Sequence, residues 1–266
     1  MKRKTVLDIK NMKGISPISA LTCYSYFNAV AMDEAGIDII LIGDSVGNVI
    51  LGYDTTIKVE VEDIIYHSKI VASHNKTSFI VSDMPFMSYQ VSKEKAIENA
   101  GKIIKYGYSN AVKIEGGEEV LDKITAIISA GIPVMGHLGL MPQSINKLGK
   151  YCIQGITEKD KEKIIKDALL LEKSGVFAIT LECIPEILAK EITEKVKIPT
   201  IGIGAGRYTD GQILVVNDIL GLNFDKKPKK FVKVYKNIGK EIKNVFKKYN
   251  KDVKNHLFPD INNIIR

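Results

Sequence analysis

Ala35-Gly36-Ile37-Asp38-Ile39-Ile40-Leu41-Ile42-Gly43-Asp44-Ser45 is the stretch that decides the fold. A helix-like segment stops at Gly36, a glycine suited to the left-handed position that closes a helix. A short run of apolar residues comes next without polar alternation, the pattern of a strand buried on both faces. The same grammar recurs three times: Tyr106-Gly107 precedes Tyr108–Ile114, Ala130-Gly131 precedes Ile132–Met135, and Ser174-Gly175 precedes Val176–Leu181. Helix, glycine, strand at intervals of a few tens of residues is the order of αβ units around a parallel sheet. The segments between agree. Ser92 is an N-cap candidate before Ala96, Ile97, Ala100, Ile103 and Ile104, and Thr157 with Asp160 resembles a capping box before Ile164, Ile165, Ala168, Leu169 and Leu171.

Strands are expected near 18–22, 37–43, 78–83, 109–115, 132–137, 176–182, 198–203 and 213–217. Eight strands with interleaved helices in about 250 residues predict an α/β chain folded as a (β/α)8 TIM barrel. An open, doubly wound sheet is the rival. The residues that end the apolar runs separate the two. Ile42-Gly43 ends on Asp44-Ser45, the run to Ser82 ends on Asp83, and Ile114 ends on Glu115 with Lys113 two residues before it. Gly136 leads into His137, Leu181 into Glu182, and Ile203-Gly204 into a glycine-rich turn. An open sheet gathers groups only from the strands beside its switch point, whereas a barrel brings all six ends to one mouth. Four carboxylates, one lysine and one histidine there suit a hard, oxygen-preferring divalent cation such as Mg2+.

The remaining features exclude other classes. The chain has 266 residues, 45% hydrophobic and 26% charged, with a formal net charge of +7, which is ordinary for a globular protein and unlike a disordered or fibrous one. No apolar run approaches the ~20 residues that span a bilayer, and the basic Met1-Lys2-Arg3-Lys4 is not followed by an apolar signal core, so a cytoplasmic protein is expected. Cys23, Cys152 and Cys183 have no zinc or redox spacing and read as reduced, structural thiols. Ile201-Gly202-Ile203-Gly204-Ala205-Gly206 has the wrong glycine spacing for a dinucleotide fingerprint and reads as a tight turn. His67, His74 and His256 read as structural or solvated, unlike His137. The stretch 138–156 is the longest non-periodic piece. Residues 226–254 hold twelve lysines against Glu241 and Asp252, a local balance of +10. Phe231, Tyr235, Ile238, Ile242, Phe246, Tyr249 and Val253 form one helical stripe among them. That segment, 226–266, reads as a helical extension of a single domain spanning 1–266, docked by its apolar face, rather than as a surface for nucleic acid or membrane.

Taken in series, several blocks carry a more specific likeness. Gly43-Asp44-Ser45-Val46-Gly47, Asp83-Met84-Pro85-Phe86-Met87, Val112-Lys113-Ile114-Glu115-Gly116-Gly117, Gly136-His137-Leu138-Gly139-Leu140 with Pro142-Gln143-Ser144, Leu181-Glu182-Cys183 and Ile201–Gly206 with Thr209-Asp210-Gly211-Gln212-Ile213 occur in order over roughly residues 18–220. The chain thereby resembles the ketopantoate hydroxymethyltransferase family. The resemblance implies hydroxymethyl transfer from 5,10-methylenetetrahydrofolate to 3-methyl-2-oxobutanoate, one Mg2+ per subunit, and a homo-oligomer, typically a decamer. Carried over by position, Asp44 and Asp83 would ligate Mg2+ and Glu115 would support its water shell. Ser45 and Lys113 would bind the 2-oxo acid carboxylate, His137 would line the substrate pocket, and Glu182 would be the general base. The chain departs from the family pattern at Ser25, Met141, Lys150 and Ile156 and in one extra lysine near Pro228, none of them a metal or base position. Two other readings are a Mg2+-dependent barrel of the phosphoenolpyruvate mutase and isocitrate lyase kind, and a non-catalytic barrel binding partners through its basic tail. The first commonly carries a Lys-Lys-Cys-Gly type of reactive loop, in which none of the three cysteines lies.

Overall fold

The computed structural model describes residues 2–150, 152–223 and 227–265. Eight parallel strands close in sequence order: β1 (Ile18–Thr22), β2 (Ile39–Ile42), β3 (Phe79–Asp83), β4 (Ala111–Glu115), β5 (Val134–Gly139), β6 (Ala178–Glu182), β7 (Thr200–Ile203) and β8 (Gly211–Leu214). β1 pairs with β2 on one side and with β8 on the other, so the sheet has no edge and the open doubly wound alternative falls. Helices between the strands begin where short polar side chains satisfy orphan amides. Ser92 Oγ accepts from Lys95 N at 3.2 Å at the start of Lys93–Gly107, and Thr157 Oγ1 accepts from Asp160 N at 3.2 Å before Glu158–Ser174.

Three of the expected helix-closing glycines, Gly36, Gly131 and Gly175, take the left-handed conformation at φ 74°, 85° and 98°. Gly107 does not: it remains helical, and Tyr108 takes the left-handed position at φ 60°. The final strand also differs from the expected 213–217. It begins at Gly211, because its register is fixed by two neighbours, β7 and β1, rather than by its own apolar run. The rest of that run turns into the short helix Val216–Ile219. β5 runs two residues past His137, and the stretch after it is not irregular throughout, since Pro142–Ser144 is a 3-10 turn and Ile145–Leu148 one helical turn. Tyr151, in the same stretch, lies outside the described residues.

Alternation along each strand sets the interior. Ile18, Ala20, Ile39, Leu41, Phe79, Val81, Ala111, Met135, Ala178, Ile201 and Ile213 form one buried cluster with Phe177, and Ile9 from the helix Val6–Asn11 joins it. Phe79 and Phe177 meet edge to face with ring centroids 5.3 Å apart. Each large apolar side chain there contributes roughly 1.5–3 kcal/mol by leaving water. Because strand side chains repeat with period two, the face that carries Val81 also carries Asp83, that of Ala111 carries Lys113 and Glu115, that of Met135 carries His137, and that of Ala178 carries Thr180 and Glu182. Register pairs Asp83 with Lys113, Glu115 with His137, and Gly139 with Glu182.

The chain divides into two compact units, Met1–Val215 and Val216–Arg266. In the second, the expected helix over 226–266 is confined to Ile238–Lys254. Phe231 and Tyr235 precede it, and Lys226 and Arg266 lie outside the described residues. Phe246 and Tyr249 are 67% and 59% exposed in the single chain. Periodicity specifies a helix and its apolar face, but not what covers that face.

Candidate active site

Each polar side chain reaches the mouth by local geometry that its sequence dictates. At the end of β2, Gly43 leaves room for the turn's own hydroxyl: a Cβ there would lie 2.8 Å from Ser45 Oγ and 3.5 Å from Asp83 Oδ2. The turn lets Asp44 N donate to Asp83 Oδ2 at 2.9 Å. Ser45 opens the short helix Val46–Val49 without using its hydroxyl as a cap. That hydroxyl instead lies 2.6 Å from the Tyr24 hydroxyl. Tyr24 comes after β1 and is itself held by His67, whose Nδ1 is 2.7 Å from the Tyr24 carbonyl.

From Asp83 a chain of charges crosses the mouth. Lys113 Nζ lies 2.8 Å from Asp83 Oδ1 and 3.2 Å from His137 Nδ1. His137 Nδ1 is 3.5 Å from Glu115 Oε1, and its Nε2 is 3.3 Å from Glu182 Oε2, an ion-pair contact short of full hydrogen-bond alignment. Glu115 Oε2 accepts from Gln143 N at 3.1 Å, and Gln143 Nε2 donates to Asp44 Oδ2 at 3.0 Å. All six ionisable groups expected at the mouth are therefore joined, directly or through Gln143. Five of them are buried, and Glu182 has the greater access, its side chain 12% exposed against 3% for His137.

Burial sets the electrostatics. It raises the Asp44 carboxyl well above the ordinary range, and the neighbouring charges of Asp83 and Glu115 push it the same way, against Lys113 and Gln143. Burial pulls Lys113 down, but Asp83, Glu115 and Asp44 outweigh it and hold the ammonium on. Burial and the Lys113 charge lower His137, yet Glu115 and Glu182 prevail and raise it to about 9, favouring the protonated ring. Four carboxylates face two cations, an excess of negative charge that is costly to bury and that a divalent cation would offset. Among the described residues no three His, Cys, Asp or Glu side chains converge as a finished cage. Mg2+ keeps several waters and takes one or two carboxylates together with substrate oxygens, and Asp44 and Asp83 are adjacent, the Asp44 amide donating to Asp83 Oδ2. The donor set fits the cation.

Sequence reasoning assigned no role to Tyr24, Tyr89 or Gln143. Tyr24 stands two residues beyond β1, a strand end that carries no charge to mark it. Gln143 lies in the non-periodic stretch, where its place in the Pro142-Gln143-Ser144 block was the available signal. Cys23 is buried, which raises its thiol to about 11 and leaves it inert as a nucleophile.

A sequence model of the family described as ketopantoate hydroxymethyltransferase matches residues 3–261. The chain is 51% identical over 259 residues to the 3-methyl-2-oxobutanoate hydroxymethyltransferase of Kosmotoga olearia, covering 97% of this chain and 96% of that protein. It is 54% identical over 255 residues to the protein of the same name from Thermosipho melanesiensis, covering 96% of each. Among solved structures, a phosphonopyruvate hydrolase superposes with a TM-score of 0.66 at 11% identity, over 100% of this chain and 92% of that one. A phosphonopyruvate hydrolase in complex with oxalate and Mg++ gives 0.63 at 12% identity, over 98% and 94%. 2,3-Dimethylmalate lyase, a member of the PEP mutase/isocitrate lyase superfamily, gives 0.60 at 11% identity, over 98% and 91%. At such identities the likeness to the solved structures is one of fold.

Proposed function

The chain belongs to the ketopantoate hydroxymethyltransferase family, and we propose that it moves a hydroxymethyl group from 5,10-methylenetetrahydrofolate to 3-methyl-2-oxobutanoate, giving 2-dehydropantoate for pantothenate synthesis. The observation that carries this reading is the buried chain of ionisable groups from Asp83 through Lys113 and His137 to Glu182, with the Asp44 amide hydrogen-bonded to Asp83. It puts carboxylates suited to a cation at one side of the mouth and a less buried carboxylate at the other.

Asp44 and Asp83 would hold Mg2+, with Glu115 acting on its water shell. When bound, the cation supplies Lewis-acid stabilisation of the negative charge that develops on the keto oxygen. Lys113 and Ser45 bind the substrate carboxylate, the ammonium by charge and the hydroxyl in an orientation set by Tyr24. Glu182 takes the proton from C3 and holds it at a carboxylate oxygen, while the His137 imidazolium keeps that carboxylate turned toward the mouth. Water hydrolyses the ring-opened folate, so that both carbon–nitrogen bonds of its methylene bridge break and the carbon is passed on at the formaldehyde level. C3 then adds to that carbon, whose oxygen takes up a proton and becomes the hydroxyl. The phosphonopyruvate hydrolase complex with oxalate and Mg++ is a precedent within the fold for a small dicarboxylate and this cation in one complex. The protein works in the cytoplasm as a homo-oligomer, a decamer, and no described helix is long and apolar enough to cross a membrane.

Proton NMR of 3-methyl-2-oxobutanoate in D2O, with protein and Mg2+ and then with the folate added, tests the reading. Metal-dependent loss of the C3 proton signal and formation of 2-dehydropantoate are expected. Neither exchange nor product with both the metal and the donor present would refute it.

A further inference from the structure

Gln143 has no charge and no place in the proton path, yet its side chain and main chain together hydrogen-bond to Asp44, Met84, Tyr89 and Glu115. It is buried, and both polar atoms of its side chain are engaged. Nε2 donates to Asp44 Oδ2 at 3.0 Å and to the Met84 carbonyl at 3.0 Å. A carbonyl can only accept, which fixes the amide with its nitrogen toward them. Oε1 accepts from the Tyr89 hydroxyl at 3.1 Å, a proton that Tyr89 shares with the Glu115 carbonyl at 3.0 Å. The main-chain N–H of Gln143 donates to Glu115 Oε2 at 3.1 Å. One residue from the loop after β5 thus takes up one oxygen of the carboxylate after β2 and one of the carboxylate ending β4.

We propose that Gln143, braced by Tyr89, is a positioning residue that fixes which oxygen of Asp44 remains for a small divalent cation and holds Glu115 beside that cation's water shell. The inference rests on the reading of those two carboxylates as the cation's partners. A carboxylate free to rotate can present both oxygens and accommodate a larger, less demanding ion. One whose second oxygen is tied to an amide presents a single donor in a set direction, which favours the short, octahedral demands of Mg2+ over Ca2+. The effect is therefore on selectivity as well as on affinity, and a residue that merely filled space would not alter selectivity.

Titration calorimetry with MgCl2 and with CaCl2, on the full chain, tests this in the wild type, Gln143→Met and Tyr89→Phe. Gln143→Met keeps the volume and the main-chain donor to Glu115 but removes the amide. It is expected to weaken Mg2+ binding about 10-fold or more, with a smaller loss for Ca2+. Tyr89→Phe keeps the ring and is expected to weaken Mg2+ binding by about two- to fivefold, again with a smaller loss for Ca2+. Mg2+ affinity within twofold of wild type in folded Gln143→Met overturns the inference, as does an equal loss for both cations. If Gln143→Met does not fold, an unchanged Mg2+ to Ca2+ ratio in Tyr89→Phe overturns it. Wild-type protein that binds no Mg2+ removes the functional reading together with this one, so the wild-type arm separates the two failures.

Discussion

The two ends of the same strands are built on opposite principles. At the lower end the interior is Phe79, Ala111, Met135, Phe177 and Ala178 with Ile9 against them, apolar side chains whose burial is favourable and has little directional demand. One or two pleats higher, the same face carries Asp83, Lys113, Glu115, His137 and Glu182, where burial is costly and each group persists because a neighbour of opposite charge lies within a few ångströms. A strand of five residues is long enough to hold both. The lower end supplies the stability, and the upper end draws on it to keep charges in a geometry that water would otherwise dissolve.

Substitutions at the two ends should accordingly fail in different ways. The largest expected effect is at the top: Glu182→Gln should slow C3 proton exchange by about 10²–10⁴-fold while the melting temperature does not fall. Retained exchange with a lowered melting temperature would invert the comparison. Next is the bottom, where Phe177→Ala removes a buried ring from the Phe79 contact and should cost ~3–5 kcal/mol in denaturant titration. Well below its melting temperature that variant should keep the wild-type KM for 3-methyl-2-oxobutanoate.

A smaller effect should appear with pH. His137 is raised from 6.5 to about 9, so folding favours its protonated form, and its contribution is complete below about 6.5 and lost as pH rises toward about 9. Stability of the metal-free protein should decline across that window, and His137→Gln should flatten the slope. The smallest effect is expected from the ion pair of Lys13 with Asp210, 2.8 Å apart and partly exposed, at the lower end beside the start of β8. Lys13→Met should cost ~1 kcal/mol or less and leave C3 exchange unchanged.

How much of this was legible beforehand depends on how local each feature is. The caps at Ser92 and Thr157, the closing glycines at 36 and 175, and the apolar runs with their terminal Asp44, Asp83, Glu115, His137 and Glu182 all depend on neighbours within a few residues. Gly107 misled because Tyr108 can also adopt the left-handed turn, and sequence alone does not say which of two adjacent residues will. The 213–217 run misled because the last strand's register answers to β1 and β7. The tail's stripe is a helical face over Ile238–Lys254, as its spacing implies, and spacing alone does not say what lies against that face.

By itself, then, the sequence determined the alternation that points one face of each strand inward and the change along that face from apolar to charged, because both are properties of a single extended segment. Tertiary structure decided the rest: that β8 returns to β1, that two carboxylates reach His137 from β4 and β6 and favour its protonated form, and that Gln143 lies against Asp44. Those outcomes depend on distances between segments remote in the chain and on burial that exists only after closure, and no local pattern encodes either.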